Sequence, residues 1–120
     1  MARVLLVDDD TAILRLLEVN FRVEGFEVDT AIHGQEAIAA ATAATPDAVV
    51  LDLMMPGMDG RETLTRLREQ ESMANVPVIF LTARGRDDVP IGSGEIFVQK
   101  PFDIVDLVAT VRTLIEGGLE

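Results

Sequence analysis

Two short runs, VVLDL at 49–53 and VIFLT at 78–82, limit the possible folds more than any other feature of the chain. Each is apolar on nearly every residue, without the alternation of a strand that has one face in water. Strands with this pattern are buried on both faces, which places them in a parallel sheet covered by helices on both sides. Strand-like segments are predicted at 3–7, 26–31, 48–53, 76–81 and 96–99. Between them lie segments with helical period. In 11–24, Ile13, Leu14, Leu17 and Phe21 share a face, and Gly25 can close the helix. An alanine-rich helix at 34–44 ends before Pro46, and a third covers 60–71. The clearest, 103–116, carries Ile104, Leu107, Val108, Val111, Leu114 and Ile115 on one stripe. This alternation predicts an α/β fold: a flavodoxin-like, doubly wound, five-stranded parallel sheet in the order 2-1-3-4-5, with helices on both faces.

The chain has 120 residues, enough for one domain spanning 1–120. It has no cysteine, so neither a disulfide framework nor a thiolate metal site is available. No uncharged run approaches the length of a membrane helix, and MARVLLVDDD lacks the cleavage site of a secretory signal. A cytoplasmic protein without membrane contact is expected. The net charge of −11 disfavours binding to nucleic acid, so any control of DNA is expected to run through another chain or domain.

In doubly wound sheets, ligands bind at the carboxyl ends of the strands. Asp8, Asp9 and Asp10 follow the first strand, Asp52 lies at the end of the third, Thr82 ends the fourth, and Lys100 follows the fifth. Lys100 is the sole lysine. Carboxylates crowded beside apolar strands need a cation, or one must take up a proton. An all-oxygen set suits a hard ion such as Mg²⁺. Carboxylate, Mg²⁺, lysine and threonine together fit phosphoryl transfer, with a carboxylate as covalent nucleophile and the cations neutralising the equatorial oxygens.

Four pieces, VDDD, LDLMMPGMDG, LTA and KPF, stand in order at successive strand ends. With them the chain resembles, over essentially its whole length, the receiver domain of two-component response regulators. The resemblance implies a phosphorylation-dependent signalling switch, which takes a phosphoryl group from a sensor histidine kinase or phosphotransfer protein and then alters binding to a downstream partner. It implies Asp52 as phosphoacceptor. It implies Mg²⁺ held by Asp9, Asp52 and the backbone carbonyl of Met54, with Asp8 assisting through water. Thr82 and Lys100 would hold phosphoryl oxygens. Phe97 stands at the place of the switch aromatic, where a core aromatic is an equal reading, and Pro101 at that of a cis-bonded proline. Such a protein turns over no separate substrate and is not expected to be an enzyme. Asp10 is read as a residue favouring the helix dipole, and Asp9 is expected to combine metal binding with helix capping. His33, without a second histidine, is read as a loop residue rather than a ligand.

Two departures from the family pattern are visible. Met54 and Arg84 stand two residues past Asp52 and Thr82, positions that in receivers tune the loss of the phosphoryl group. A thioether cannot hold an attacking water by a strong hydrogen bond, and slow dephosphorylation is expected. Thr82 and Lys100 are only 18 positions apart, and the stretch between them contains Gly85, Pro90, Gly92 and Gly94. A shortened or missing fourth helix is expected over 84–95, with an altered output surface.

An alternative is a Mg²⁺-dependent aspartyl-phosphate phosphatase of haloacid dehalogenase type. Asp8 and Asp10 supply the start of its nucleophile motif, but Ala12 stands where Thr or Val is needed, and there is no room for a cap domain. A flavodoxin would need a phosphate loop where DDDTAI stands.

Overall fold

The computed structural model describes residues 1–83 and 95–117. Five parallel strands, β1 (Arg3–Val7), β2 (Glu27–Ala31), β3 (Ala48–Asp52), β4 (Val78–Thr82) and β5 (Glu95–Gln99), form one sheet in the order β2-β1-β3-β4-β5. Among the described residues the helices are α1 (Thr11–Val23), α2 (Gly34–Ala43), α3 (Gly60–Arg68) and α4 (Ile104–Ile115). The expected order and strand count are found. The expected shortening of a fourth helix at 84–95 falls outside the described residues, except for Glu95, which opens β5. Arg84 lies outside them as well.

Strand parity divides the core in two. Val4, Leu6, Val50, Ile79 and Leu81 meet Leu14, Leu17 and Phe21 of α1 and Leu107, Val108 and Val111 of α4. Leu5, Val7, Val49, Leu51, Val78 and Phe80 face the other way, against Ala37 and Ala41 of α2, Leu67 of α3, and Met73. Successive strand residues point to opposite faces, so both faces can be covered only if every position is apolar. That is the physical content of the unbroken runs in β3 and β4.

Element ends follow local chemistry. At the end of α1, Gly25 takes φ +94°, its amide donates to Arg22 O at 3.0 Å, and Phe26 N donates to Phe21 O at 3.0 Å. This is a Schellman closure, and the Phe21 and Phe26 rings pack edge to face, 5.2 Å apart, as its apolar contact. Phe26 therefore belongs to the helix stop, and β2 begins one residue later than expected. β4 begins after Pro77, which has no N–H for the ladder and instead gives its carbonyl to Val49 N at 3.0 Å. The third helix stops at Arg68, short of the expected 71, and a 3₁₀ turn follows at Glu71–Met73. The Arg68 guanidinium holds the carbonyls of Met73 and Val76 and approaches Glu95 Oε2 at 3.3 Å, which fixes the chain's turn from α3 into β4 and ties it to the start of β5.

Candidate phosphoacceptor and metal site

The sheet order sets β1 and β3 side by side with β4 and β5 beyond, so four loops open at one edge. Asp8 continues β1, its amide donating to Ala31 O at 3.2 Å, and its side chain is fully buried. Asp52 is the last residue of β3 and is 5% exposed. Asp9 is exposed beside them, and one carboxylate oxygen from each of Asp8, Asp9 and Asp52 lies within 4.8 Å of the others.

Lys100 is positioned through the backbone: its amide donates to Thr82 O at 2.7 Å, and a cis peptide bond joins it to Pro101. Its Nζ lies 3.3 Å from Asp8 Oδ2 and 3.6 Å from Asp52 Oδ1. Thr82 is buried at the end of β4, so three acids, a lysine and a threonine meet at this edge. Of the expected site residues, Asp8, Asp9, Asp52 and Lys100 are brought into one cluster.

Two buried carboxylates against one ammonium leave an imbalance. Burial pushes the Asp52 carboxyl up to about 7, and the neighbouring Asp8 charge adds to the rise. The Lys100 charge and the Met54 amide, which donates to Asp52 Oδ1 at 3.3 Å, pull the other way without cancelling it. A hard cation would relieve the repulsion. Octahedral Mg²⁺ sets its ligand oxygens roughly 3–4 Å apart, a spacing that three carboxylates already this close can reach with small movements.

The helix cap after β1 differs from expectation. Asp10, not Asp9, caps α1: its Oδ1 accepts from Ala12 N at 3.0 Å and Ile13 N at 3.3 Å, while its own amide donates to Asp8 Oδ1 at 2.9 Å. The third acid thus has its own task, and Asp9 is left facing the cluster. His33 is also more than a loop residue. It is the N-cap of α2, its Nδ1 accepting from Glu36 N at 3.2 Å, while Glu36 Oε1 accepts from Ile32 N at 2.9 Å. The His-x-x-Glu spacing resembles a capping box with a ring nitrogen in place of the hydroxyl, except that the glutamate accepts from the amide of Ile32, one residue before the cap. Phe97 is half-buried, directly opposite Phe80 in the β4–β5 ladder, with rings stacked 5.3 Å apart at 16°.

One supporting residue, Gly60, closes the LDLMMPGMDG stretch, but nothing in the sequence shows the close contact it makes. It begins α3 pressed against the backbone that carries Asp52, its amide donating to Leu53 O at 2.9 Å. A Cβ there would stand 2.7 Å from both Asp52 O and Leu53 Cα, and backbone atoms cannot swing aside. Gly60→Ala is expected to lower stability by about 2 kcal/mol through overpacking, despite alanine's better helix propensity. Urea denaturation checks this; a midpoint at or above that of the wild type would show that the β3–α3 contact yields.

Comparison with known proteins agrees with this geometry. The family model of the response regulator receiver domain matches residues 4–112. The transcriptional regulatory protein PrrA of Mycobacterium leprae is 44% identical over 117 residues, covering 94% of this chain and 49% of that protein. The chain thus spans about half the length of the curated relatives it matches. Chemotaxis protein CheY4 of Vibrio cholerae superposes with a TM-score of 0.88 at 32% identity, covering 93% of this chain and 97% of that one. The receiver domain of sensor histidine kinase PA1611 from Pseudomonas aeruginosa, solved with a magnesium ion coordinated in its active-site cleft, superposes with a TM-score of 0.85 at 28% identity, covering 96% and 98%.

Proposed function

The chain belongs to the response regulator receiver domain family, a family of phosphorylation-dependent signalling switches, and from that premise we propose that Asp52 is its phosphoacceptor. The observation that carries this reading is the meeting of Asp52 with Asp8, Asp9 and Lys100 at one sheet edge. The phosphatase alternative has no support from the relatives found.

The donor is a phosphohistidine of a sensor kinase or phosphotransfer protein. An ionised Asp52 oxygen attacks phosphorus, the P–N bond breaks, and the histidine nitrogen keeps the electron pair and takes a proton. Asp9, Asp52 and the carbonyl of Met54 would hold Mg²⁺, with Asp8 assisting through water. When bound there, the ion would supply charge neutralisation for the phosphoryl oxygens and would keep Asp52 ionised. The Lys100 ammonium and the Thr82 hydroxyl take phosphoryl oxygens, and the Phe97 ring follows the rearrangement. The product is the modified protein itself, so the domain acts as a switch and not as an enzyme with turnover. Among the described residues no helix is long and apolar enough to cross a membrane. We read the domain as cytoplasmic, and its net charge of −11 supports signalling to a protein partner over direct contact with nucleic acid.

Lys100 gives the test of the coupling. In excess Mg²⁺, which compensates the lost ammonium, Lys100→Ala is expected to fold and to bind the ion. It is also expected to lose the change in amide NMR spectra that beryllofluoride, a phosphoryl mimic, produces in the wild type. A full wild-type response in the variant would remove Lys100 from the mechanism.

A further inference from the structure

We propose that Met54 is a site of reversible oxidation by peroxides, and that its sulfoxide shortens the lifetime of the phosphoryl group on Asp52. The second half rests on the reading of Asp52 given above.

The methionines differ sharply in access. Met55 and Met73 are buried, and Met58 is half-buried with its sulfur against Gly34. Met54 is 53% exposed, although its neighbours Leu53 and Met55 are buried. Its backbone is anchored to the site by the amide bond to Asp52 Oδ1. An open thioether therefore stands in the first turn of the loop that leaves the phosphoacceptor. Apart from Met1 at the chain start, no other described methionine is as accessible.

The chemistry balances with a peroxide as the named oxidant. A sulfur lone pair attacks one peroxide oxygen and the O–O bond breaks. The leaving oxygen takes the proton and departs as water. Sulfur is oxidised by two electrons and the peroxide is reduced by two. Thiol-dependent methionine sulfoxide reductases reverse the step.

The consequence follows from hydrogen bonding. A thioether is a weak acceptor, so Met54 gives no hold to a water approaching the phosphorus. A sulfoxide oxygen on the same sulfur is a strong acceptor. It can accept from such a water and orient it. One ordinary net hydrogen bond made to the attacking water corresponds to an increase of about fivefold in the rate of phosphoryl loss.

The experiment uses the folded chain and hydrogen peroxide. Peptide mapping is expected to find Met54 oxidised well before Met55 and Met73. The oxidised and untreated proteins are then labelled with acetyl phosphate, and phosphoryl loss is followed by intact mass. The oxidised wild type is expected to lose the group about fivefold faster, and reductase treatment to restore the slow rate. The same treatment of Met54→Leu, compared with its own untreated sample, is expected to change nothing. Protection of Met54 from peroxide overturns the inference. So does equal acceleration in Met54→Leu, or an unchanged lifetime in the oxidised wild type. An untreated wild type that gains no phosphoryl mass overturns this inference and the reading of Asp52 together, which separates the two failures.

Discussion

Incubated with acetyl phosphate and Mg²⁺, the wild type is expected to gain one phosphoryl mass and Asp52→Asn none. The expectation is all or nothing, because an amide oxygen cannot supply the nucleophilic electron pair that a carboxylate does. Asp8 and Asp9 lie close enough to raise the question of a substitute. Asp8 is fully buried and tied by its Oδ1 to Asp10 N and by its Oδ2 to Lys100, which leaves it no free line of approach to a phosphorus atom. Asp9 is exposed, without the burial that excludes water from the acyl phosphate. Labelling of Asp52→Asn at the wild-type level would move the acceptor elsewhere. Labelling of the wild type that resists hydroxylamine would show that the new bond is not an acyl phosphate.

Much of this arrangement is legible in the sequence, for identifiable reasons. A strand buried on both faces must be apolar throughout, so β3 and β4 announce themselves, and the doubly wound order then delivers the strand ends to one edge. Asp52 stands out there because a carboxylate at the end of five buried residues has no structural reason to be present. Less legible is anything decided by direction rather than by position. Three consecutive acids do not show which one turns its side chain back onto the helix amides, and Asp10 does so where Asp9 is the expected cap. Nor can spacing show that Phe97 faces Phe80 as a stacked pair, since that depends on strand register. The exposure of Met54 between two buried neighbours is likewise a property of the loop's path and not of its composition.

Without divalent cations, the protein is expected to become less stable as pH rises from about 4 to about 7. The sign follows from Asp52, whose carboxyl is raised from 3.8 to about 7 in the folded state. The folded chain binds this proton more tightly than the unfolded chain. The stabilisation is therefore fully present below the unfolded value and is lost as pH climbs through the folded value. Its size is on the order of a few kcal/mol at most, since each tenfold gain in proton affinity is worth about 1.4 kcal/mol. Mg²⁺ bound through Asp52 would act in the opposite direction, because it needs that carboxylate ionised. At pH 8 and about 100 times its dissociation constant, the ion is expected to add about 2.7 kcal/mol. For a domain of this size that raises the melting temperature by roughly 10 °C. At pH 5 the same ion must displace a proton first, and its effect should shrink. The variant Asp52→Asn separates this account from a general charge effect on a strongly acidic chain. In EDTA at pH 8 it should melt above the wild type, at pH 5 the gap should close, and its response to Mg²⁺ should be small at both. If the wild type and Asp52→Asn instead fall in parallel as pH rises, the instability comes from the surface charge as a whole, and the buried carboxylate pair is not what the cation relieves.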